Sequence, residues 1–311
     1  MKRKSLLLCV CLALMGLGVA TPAVAGARPT ASSPCGQTRI APVYQHVIWV
    51  FMENHSYDTI IGSPDAPYAN TLANECGLAT NYHNITHPSL PNYIAATSGL
   101  PMTTVRNKFA SDCTVSKTCR TAAPSIFGQV SSWKAYEESM PSNCSVTNSG
   151  NYAVRHNPPP YFRTLSGCST NDVPYTSLST DLANNTLPAF SFITPNLVDD
   201  THNAGVATGD AWLSTNLQAI FDSPAYAAGT TAVVLTWDEG EGGTSNDCAR
   251  NTTDIGCHIA AIVASPSTKA GTKSAKLFNH YSLLRTTEDL LGVPPLAKAV
   301  TAKSMAKAFN L

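Results

Sequence analysis

Three apolar, β-branched runs in this 311-residue chain each stop at a group of acidic or amide side chains, and this pattern restricts the fold more than any other. The runs cover residues 46–51, 189–195 and 231–237, and a fourth apolar run covers 258–264. Runs without polar alternation are typical of strands that are buried on both faces of a parallel sheet. The four runs therefore predict strands of one covered sheet.

Segments with helical periodicity lie between these runs and favour an α/β fold. The alternation predicts three layers, in which a mostly parallel sheet is covered by helices on both faces. Asp210 is expected to cap the helix that begins near Gly209. Ligands of such folds bind beyond the carboxyl ends of the strands, where the polar groups of this sequence lie. The predicted helices cover 93–97, 209–221 and 281–291.

The first 25 residues have the features of a secretory signal peptide. A cationic start precedes an apolar run at 6–20 and an Ala-Val-Ala group at 23–25. The apolar run is short for a membrane span, so an anchor is the less favoured interpretation. We expect a secreted protein without stable membrane insertion, with a flexible lead-in at 26–43 and a single domain at 44–311.

Cysteine usage agrees with export. Ten cysteines are present, and two of them lie in the signal run, which leaves an even number in the remaining chain. An even number in an exported protein predicts disulfides, and Cys113–Cys119 and Cys248–Cys257 are favoured because each closes a short loop. The region 99–180 is rich in Ser, Thr, Asn, Pro and Cys, and we predict a disulfide-pinned insertion over the site there.

The charge balance excludes one large class of function. Lys plus Arg and Asp plus Glu both number 20, and charged residues make up 13% of the chain. A net charge near zero gives no long-range attraction to nucleic acids or anionic membranes. We therefore expect no nucleic-acid partner, and the oligomeric state is left open.

Oxygen and nitrogen ligands at several strand ends indicate a cation site. Any one Asp or His after a strand is ordinary, but their joint placement raises the case for a hard or borderline divalent cation. Ser89 stands just before a predicted helix start, where it is either a plain N-cap or a nucleophile beside a cation. The residues at the strand ends are Glu53, Asn54, Asp199, Asp200, His202, Asp238 and Glu239, with His280 before the last helix.

Six collinear segments resemble the bacterial phosphoesterase family that contains secreted acid phosphatases and phospholipases C. The resemblance spans about residues 44–296 and is nearest to the short secreted acid phosphatases of actinobacteria, which include enzymes acting on phosphoinositides. It implies an alkaline-phosphatase-like core, a divalent metal and a serine or threonine that takes the phosphoryl group. The segments are VIWVFMENHSYD, THPSLPNYIAATSG, SFITPNLVDDTHNAG, GDAWL, VVLTWDEGEGG and HYSLLRTTEDLLG.

The resemblance also implies roles for individual residues. It makes Ser89 the nucleophile and His202 and His280 the candidate proton donors, and Asp200 fits the family's Asp-x-His better than Asp199. One hard cation fits better than a zinc pair because histidines are few. The implied metal ligands are Glu53, Asn54, Asp200, Asp238 and Glu239, and the implied substrate-binding residues are His87, Asn92, Arg155 and His156.

The expected activity is hydrolysis of phosphate monoesters, through a phosphoseryl intermediate and at acidic pH. Substrates are expected to be small phosphate esters or phospholipid headgroups, including phosphoinositides. A phosphodiesterase of the phospholipase C type is the alternative, and an exported metal-binding protein without activity is the third interpretation.

Overall fold

Nine strands form one sheet in the computed structural model, which describes residues 33–249 and 253–311. Along the sheet the order is β4-β3-β5-β1-β6-β7-β2-β8, and β9 also pairs with β2. The strands are β1 (His46–Met52), β2 (Gly77–His83), β3 (Trp133–Glu137), β4 (Asp172–Pro174), β5 (Phe190–Thr194), β6 (Thr231–Trp237), β7 (His258–Ala264), β8 (Thr272–Ser274) and β9 (Phe278–Asn279).

The central strand β1 lies between β5 and β6 and is parallel to both. Val47 is in register with Phe190 on one side and with Ala232 on the other. β7 is antiparallel to β6 and to β2, and the other described strands share one direction. The sheet is therefore mostly parallel, as predicted.

Helices cover both faces of the sheet, as the three-layer prediction requires. The indole N–H of Trp49 in β1 donates to Thr287 at 2.9 Å on one face, and Met52 packs near Gly209 on the other. Successive side chains of a strand alternate between its two faces, and Trp49 and Met52 are three residues apart. Their contacts therefore lie on opposite faces of the sheet. The helices are α1 (Tyr57–Ile60), α2 (Pro67–Glu75), α3 (Ser89–Ser98), α4 (Met102–Phe109), α5 (Ile126–Gln129), α6 (Cys168–Asn171), α7 (Ser177–Ala183), α8 (Val206–Phe221), α9 (Pro224–Ala227), α10 (His280–Leu291) and α11 (Ala306–Phe309).

Asp210 does not cap the helix in which it lies, so that prediction was wrong. α8 begins at Val206, and this start places Asp210 inside the helix. Its carboxylate accepts hydrogen bonds from the backbone N–H groups of Tyr68 and Ala69, both at 2.8 Å. These donors belong to the first turn of α2, whose own N-cap residue is Ala66 and has no polar side chain. Asp210 therefore supplies the cap that α2 lacks.

The region 99–180 differs from the insertion that we predicted. β3 and β4 come from this region, and β3 pairs directly with β5. The region therefore extends the main sheet, while its loops carry the disulfides Cys113–Cys119 and Cys144–Cys168. Lys134 and Glu137 interrupt the apolar character of β3, which is why the strand is hard to recognise from composition.

Four disulfides link the described cysteines, and both predicted pairs, Cys113–Cys119 and Cys248–Cys257, are confirmed. Cys35–Cys76 fastens the segment before β1, where Gly36 N–H also donates to Thr268 at 2.8 Å. The described part of the expected lead-in is thus bonded to the domain.

The predicted signal peptide lies outside the described residues. Within the described residues, no helix combines the length and apolar character that crossing a bilayer requires.

Candidate active site

The register of the central strands brings two acidic residues to the same edge of the sheet. Met52 and Trp237 are paired at the ends of β1 and β6, so Glu53 and Asp238 emerge side by side. The backbone N–H of Asn54 donates to Asp238 Oδ1 at 3.1 Å. On the other side of Glu53, its backbone N–H donates to the carbonyl of Asp200 at 2.8 Å. Three neighbouring strands therefore deliver the predicted acidic residues to one place.

Ser89 is the first residue of α3 and faces this acidic group. Its hydroxyl donates to Glu53 Oε2 at 3.0 Å, and the residue is 3% exposed. Tyr93 follows four positions later on the same side of the helix, and its hydroxyl donates to Glu53 Oε1. The N-terminus of α3 therefore points into the site, where free N–H groups and the helix dipole favour an anion.

The carboxylates beside Ser89 are buried, and burial changes their protonation. Burial raises the pKa of Glu53 well above its ordinary value, and the nearby Asp238 and Asp200 raise it further. Burial and Glu239 likewise raise the pKa of Asp238, while the hydroxyl of Ser89 acts in the opposite direction. No described Lys or Arg forms an ion pair with Glu53, Asp238 or Glu239. Without a positive partner, these groups favour their neutral forms.

The chemistry of the oxygen donors beside Ser89 suits a hard divalent cation. Asp238 Oδ2 is buried and accepts no hydrogen bond from the described residues, so one oxygen beside Ser89 is without a partner. Glu53 Oε2 reaches the Ser89 hydroxyl at 3.0 Å. Buried carboxylates without a positive partner need a compensating charge, and oxygen donors suit hard cations. The two histidine- or cysteine-containing groups elsewhere in the described chain both include disulfide cysteines, which offer no thiolate.

His156 connects two of the acidic residues. Its Nδ1 lies 3.1 Å from Asp200 Oδ2 and its Nε2 lies 3.3 Å from Glu53 Oε1. Burial lowers the pKa of His156 well below its ordinary value and raises the pKa of Asp200 to about 8. Both shifts favour a neutral pair. At 2% exposure, His156 acts on the site through Glu53 and Asp200 rather than from the surface.

Asn92 and His87 hold Glu239, which differs from the substrate-binding roles implied by the resemblance. Asn92 Nδ2 donates to Glu239 Oε2 at 3.1 Å, and Asn92 Oδ1 accepts from the N–H groups of Ile85 and Thr86. Asn92 is fully buried, so its polar atoms are used within the protein. His87 Nδ1 lies 3.1 Å from the same Glu239 oxygen. Both side chains therefore position Glu239 and the turn before Ser89.

The structure contradicts a proton-donor role for His280. The side chain is fully buried, its Nε2 donates to the backbone carbonyl of Asp238 at 2.8 Å, and its Nδ1 lies 3.1 Å from the Tyr82 hydroxyl. Both ring nitrogens are occupied, and burial lowers the pKa of His280 to about 4. A neutral, enclosed imidazole supports the turn at Asp238 and does not reach a leaving group.

Arg155 and His202 lie together at the rim of the site. Arg155 Nη2 donates to His202 Nε2 at 3.0 Å, and His202 Nδ1 then donates to Asn203 Oδ1 at 2.8 Å. His202 is exposed, and its backbone N–H donates to Asp200 Oδ1 at 2.7 Å. The preferred Asp200 thus joins the site, whereas Asp199 bonds to Asn196 outside it.

Two residues of the site were not predicted from the sequence. Tyr93 could have been found, because it follows Ser89 by four residues in a predicted helix. Asp112 could not, because it comes from a loop without periodicity; its Oδ1 accepts from the backbone N–H of Leu90 at 3.0 Å. Tertiary folding alone brings Asp112 to the start of α3.

The arrangement of strands and helices is similar to that of solved structures of distant sequence. A Vibrio parahaemolyticus protein in the alkaline phosphatase superfamily matches with a TM-score of 0.54 at 12% identity, over 86% of this chain and 71% of the other. A human ectonucleotide pyrophosphatase/phosphodiesterase 5 matches with a TM-score of 0.59 at 10% identity, over 86% of this chain and all of the other. These likenesses concern the fold.

The chain belongs to the phosphoesterase family, whose profile matches residues 63–294. A phosphatidylinositol-3-phosphatase of Mycobacterium tuberculosis is 30% identical over 270 residues, which cover 84% of this chain and 81% of that protein. An acid phosphatase of Aspergillus fumigatus is 27% identical over 80% of this chain and 55% of its own length. The chain thus spans about half of the fungal relative. The resemblance seen in the sequence is confirmed, and the protein is a phosphoester hydrolase.

Proposed function

We propose that the protein is an exported phosphatase that hydrolyses phosphate monoesters through Ser89. The observation that carries this proposal is the Ser89 hydroxyl at the start of α3, bonded to Glu53 at 3.0 Å and next to Asp238. A helix N-terminus favours the phosphoryl group, and the buried carboxylate accepts the hydroxyl proton. Export is supported by the four disulfides, which are typical of oxidising compartments.

In the first step, Ser89 Oγ forms a bond to phosphorus while the bond from phosphorus to the ester oxygen breaks. The Ser89 proton passes to Glu53 in its ionised form, whose Oε2 lies 3.0 Å from the Ser89 hydroxyl. Burial opposes that ionised form, and the positive charge of a cation at the proposed site would favour it. The ester oxygen leaves with the bonding electrons and takes a proton from the imidazolium form of His202, which is the exposed imidazole of the two that the sequence suggested. In that form His202 Nε2 no longer accepts the hydrogen bond from Arg155, so the guanidinium can turn to the substrate. In the second step, water gives a proton to His202 and forms a bond to phosphorus while the bond from phosphorus to Ser89 Oγ breaks, and the Ser89 oxygen recovers its proton from Glu53. Arg155 binds phosphate oxygens at the rim.

A divalent cation fits Glu53, Asp238 and the Ser89 hydroxyl, with Asn54 and Glu239 beside them. A cation bound there supplies positive charge that lowers the hydroxyl pKa and compensates the phosphoryl oxygens. His156 lies between Asp200 and Glu53, with its Nδ1 3.1 Å from Asp200 Oδ2 and its Nε2 3.3 Å from Glu53 Oε1. We therefore propose Asp200 as a positioning residue and the others as the cation ligands.

The proposed substrate class is phosphate monoesters, including those of phosphoinositide headgroups. The relative with 30% identity is a phosphatidylinositol-3-phosphatase, and the fungal relatives are acid phosphatases. These relatives also support activity in acidic solution. The exposed Arg155–His202 pair leaves the rim open to an ester larger than phosphate itself.

The test is phosphate release from p-nitrophenyl phosphate between about pH 4 and about pH 9, with EDTA and with added divalent ions. Replacing Ser89 by Ala should lower the turnover rate by about 1,000-fold or more, because the nucleophile is lost. Ser98→Ala is the matched control, since Ser98 is a buried serine of the same helix whose hydroxyl donates to Ile94 at 2.6 Å. Its activity should stay within about threefold of the wild type.

Each arm of this experiment has a decisive result. A folded Ser89→Ala variant that retains most of the turnover would exclude Ser89 as the nucleophile. Loss of activity in EDTA, restored by one ion, supports the cation site, and full activity in EDTA overturns it. Release of diacylglycerol from phosphatidylcholine, without release from p-nitrophenyl phosphate, would replace the monoesterase by a phospholipase C-type diesterase. Vesicles containing phosphatidylinositol 3-phosphate test the lipid substrate.

A further inference from the structure

An aspartate from a distant loop occupies the N-terminus of the helix that carries Ser89. The backbone N–H of Leu90 donates to Asp112 Oδ1 at 3.0 Å, and Leu90 directly follows Ser89. Asp112 adopts a left-handed conformation with φ of 48°, which Asp tolerates better than most residues. The carboxylate is therefore held one residue away from the proposed nucleophile.

The Leu90 N–H is one of few backbone donors that the first turn of α3 can offer to an anion. The first four N–H groups of a helix have no partner inside it, and these groups bind anions. Here the third helical residue is Pro91, which has no N–H. Ser89 and Leu90 are consequently the only residues among the first three of α3 that offer a backbone donor. Asp112 takes one of these two donors.

Both basic residues of the rim and one carboxylate interact electrostatically with Asp112. Burial raises the pKa of Asp112, whereas the bond from the Leu90 N–H and the positive charges of Arg155 and His202 act in the opposite direction. Burial raises the pKa of Glu239, and the negative charge of Asp112 raises it further. Burial likewise raises the pKa of Tyr161, and Asp112 adds to that shift. Asp112 thus interacts electrostatically with Arg155 and His202, the two basic residues of the proposed mechanism, while its carboxylate accepts from the helix N-terminus.

The loop that carries Asp112 is fixed in place. The next residue, Cys113, forms a disulfide with Cys119. The hydroxyl of Tyr161 donates to the Cys113 carbonyl at 2.8 Å. Asp112 N–H donates to Phe109 at the end of α4 at 3.0 Å. A covalent link and two hydrogen bonds next to Asp112 therefore hold its carboxylate against α3.

We propose that Asp112 occupies the position of one phosphoryl oxygen in the free enzyme, so that phosphate and phosphate esters bind by displacing its carboxylate. This inference rests on the proposed function of Ser89. Two effects follow from displacement: a substrate must compete with an internal anion, and the negative charge of Asp112 weakens binding of a second anion at the same place. Asp112 is in this sense an internal competitor that limits affinity for phosphate.

The test compares Asp112→Asn with Asp112→Ala by calorimetric binding of inorganic phosphate to the full chain at one pH. Asn keeps an oxygen for the Leu90 N–H and removes the charge, whereas Ala removes both. If Asp112 competes with phosphate, both variants should bind phosphate about tenfold more tightly than the wild type. Asp65→Asn, at an exposed loop position, makes the same charge change and should leave the affinity within about twofold.

A purely structural cap gives a different result. In that case Asp112→Asn binds phosphate as the wild type does and Asp112→Ala loses thermal stability; unchanged or weaker binding by the Asn variant therefore overturns the proposal. If the Asn variant does not fold, the Ala variant decides by the same criterion. Binding does not require turnover, so this result is independent of the test of Ser89. A wild-type chain that binds phosphate without hydrolysing esters would overturn the proposed function but not the role of Asp112.

Discussion

Glu53 is the single residue to which most of the site is attached. The hydroxyls of Ser89 and Tyr93 both donate to its carboxylate, and His156 lies 3.3 Å from the same group. The residue is fully buried, and an isolated buried carboxylate would be strongly unfavourable. Donors from α3 and from the segment before β4 offset that cost. The chemistry proposed for Ser89 therefore depends on how these side chains hold one carboxylate.

His280 should make the protein less stable in acid. Its pKa is about 4 in the folded chain and near the ordinary 6.5 when unfolded, so between these values the unfolded state binds more protons. The contribution of His280 to stability is therefore complete above about pH 6.5 and is lost as the pH falls toward 4. The loss should be about 2–3 kcal/mol over this window.

Urea denaturation of the wild type and of His280→Gln at several pH values measures this effect. Gln keeps an amide donor for the Asp238 carbonyl but does not titrate. The wild type should lose stability relative to His280→Gln as the pH falls. The unfolding free energy of the wild type minus that of the variant should therefore decrease from about pH 6.5 to about pH 4. A difference that stays constant across the window would show that His280 does not control acid stability.

Among single residues, the sequence identified most of the site and misassigned the roles of some members. Ser89, Glu53, Asp200 and Asp238 were predicted and do meet in the structure. His280 was expected at the leaving group, yet it supports the Asp238 carbonyl from within the core. A sequence shows which residues follow a strand. It does not show which way their side chains turn, because neighbouring elements determine that.

Helix α3 is the element that links the core to the chemistry. All ten of its residues are buried, with Ser89 at one end and Ser98 at the other. Gly99 ends the helix in the left-handed conformation at φ of 67°, and its N–H donates to Ala95 at 2.8 Å. A helix that is buried all round takes its direction from packing. Changes at its C-terminal end should therefore affect the position of Ser89.

Gly99→Ala should destabilise the protein by about 3 kcal/mol or more. The left-handed conformation disfavours Ala by about 1–2 kcal/mol, and the new Cβ would lie 2.6 Å from the backbone oxygen of Leu296. Gly62→Ala is the matched control, because Gly62 also has a positive φ but open space around it. Only the conformational cost of about 1–2 kcal/mol is expected there.

Chemical denaturation of both glycine variants compares the two costs. Equal destabilisation would show that Leu296 yields without cost and that the end of α3 is not sterically fixed. The turnover of Gly99→Ala provides a second measure. We expect it to fall more than that of Gly62→Ala, because a shift of α3 moves Ser89 relative to Glu53.

At the scale of elements, long apolar strands were predictable, and short strands of mixed polarity were not. β1, β6 and β7 lie where the apolar runs placed them. β3 was missed because its sequence, which contains Lys134 and Glu137, has no apolar strand pattern. The strand forms because it pairs with β5. Asp210 was assigned to the wrong helix for a similar reason, since its cap crosses from α8 to α2.

The disulfides of this one-sheet domain differ greatly in the sequence separation of the cysteines that they join. Cys35–Cys76 joins residues 41 apart and attaches the segment before β1 to the end of α2. Cys113–Cys119 joins residues only 6 apart in the loop beside Asp112. Longer loops lose more conformational freedom in the unfolded chain when they are closed, so the two disulfides should differ in their effect on global stability.

Replacing both cysteines of a pair by serine tests this difference. Removing Cys35–Cys76 should lower the free energy of unfolding by about 4 kcal/mol, and removing Cys113–Cys119 by about 2 kcal/mol. Thermal and denaturant unfolding under oxidising conditions measure both values. The reverse order would mean that native contacts around the short loop, rather than unfolded-chain entropy, determine the stabilisation. Phosphate affinity should change only in the second variant, because that loop carries Asp112.

The sequence by itself determined the α/β architecture, the short-range disulfides and the group of acidic residues beside Ser89. Each of these depends on local information: apolar runs, short loop closure, and residues that directly follow strands. Only the tertiary structure decided that His280 and Asn92 support the site from inside, that Asp210 caps another helix, and that Asp112 reaches the start of α3. These are contacts between residues far apart in the chain, and packing of the complete fold selects them.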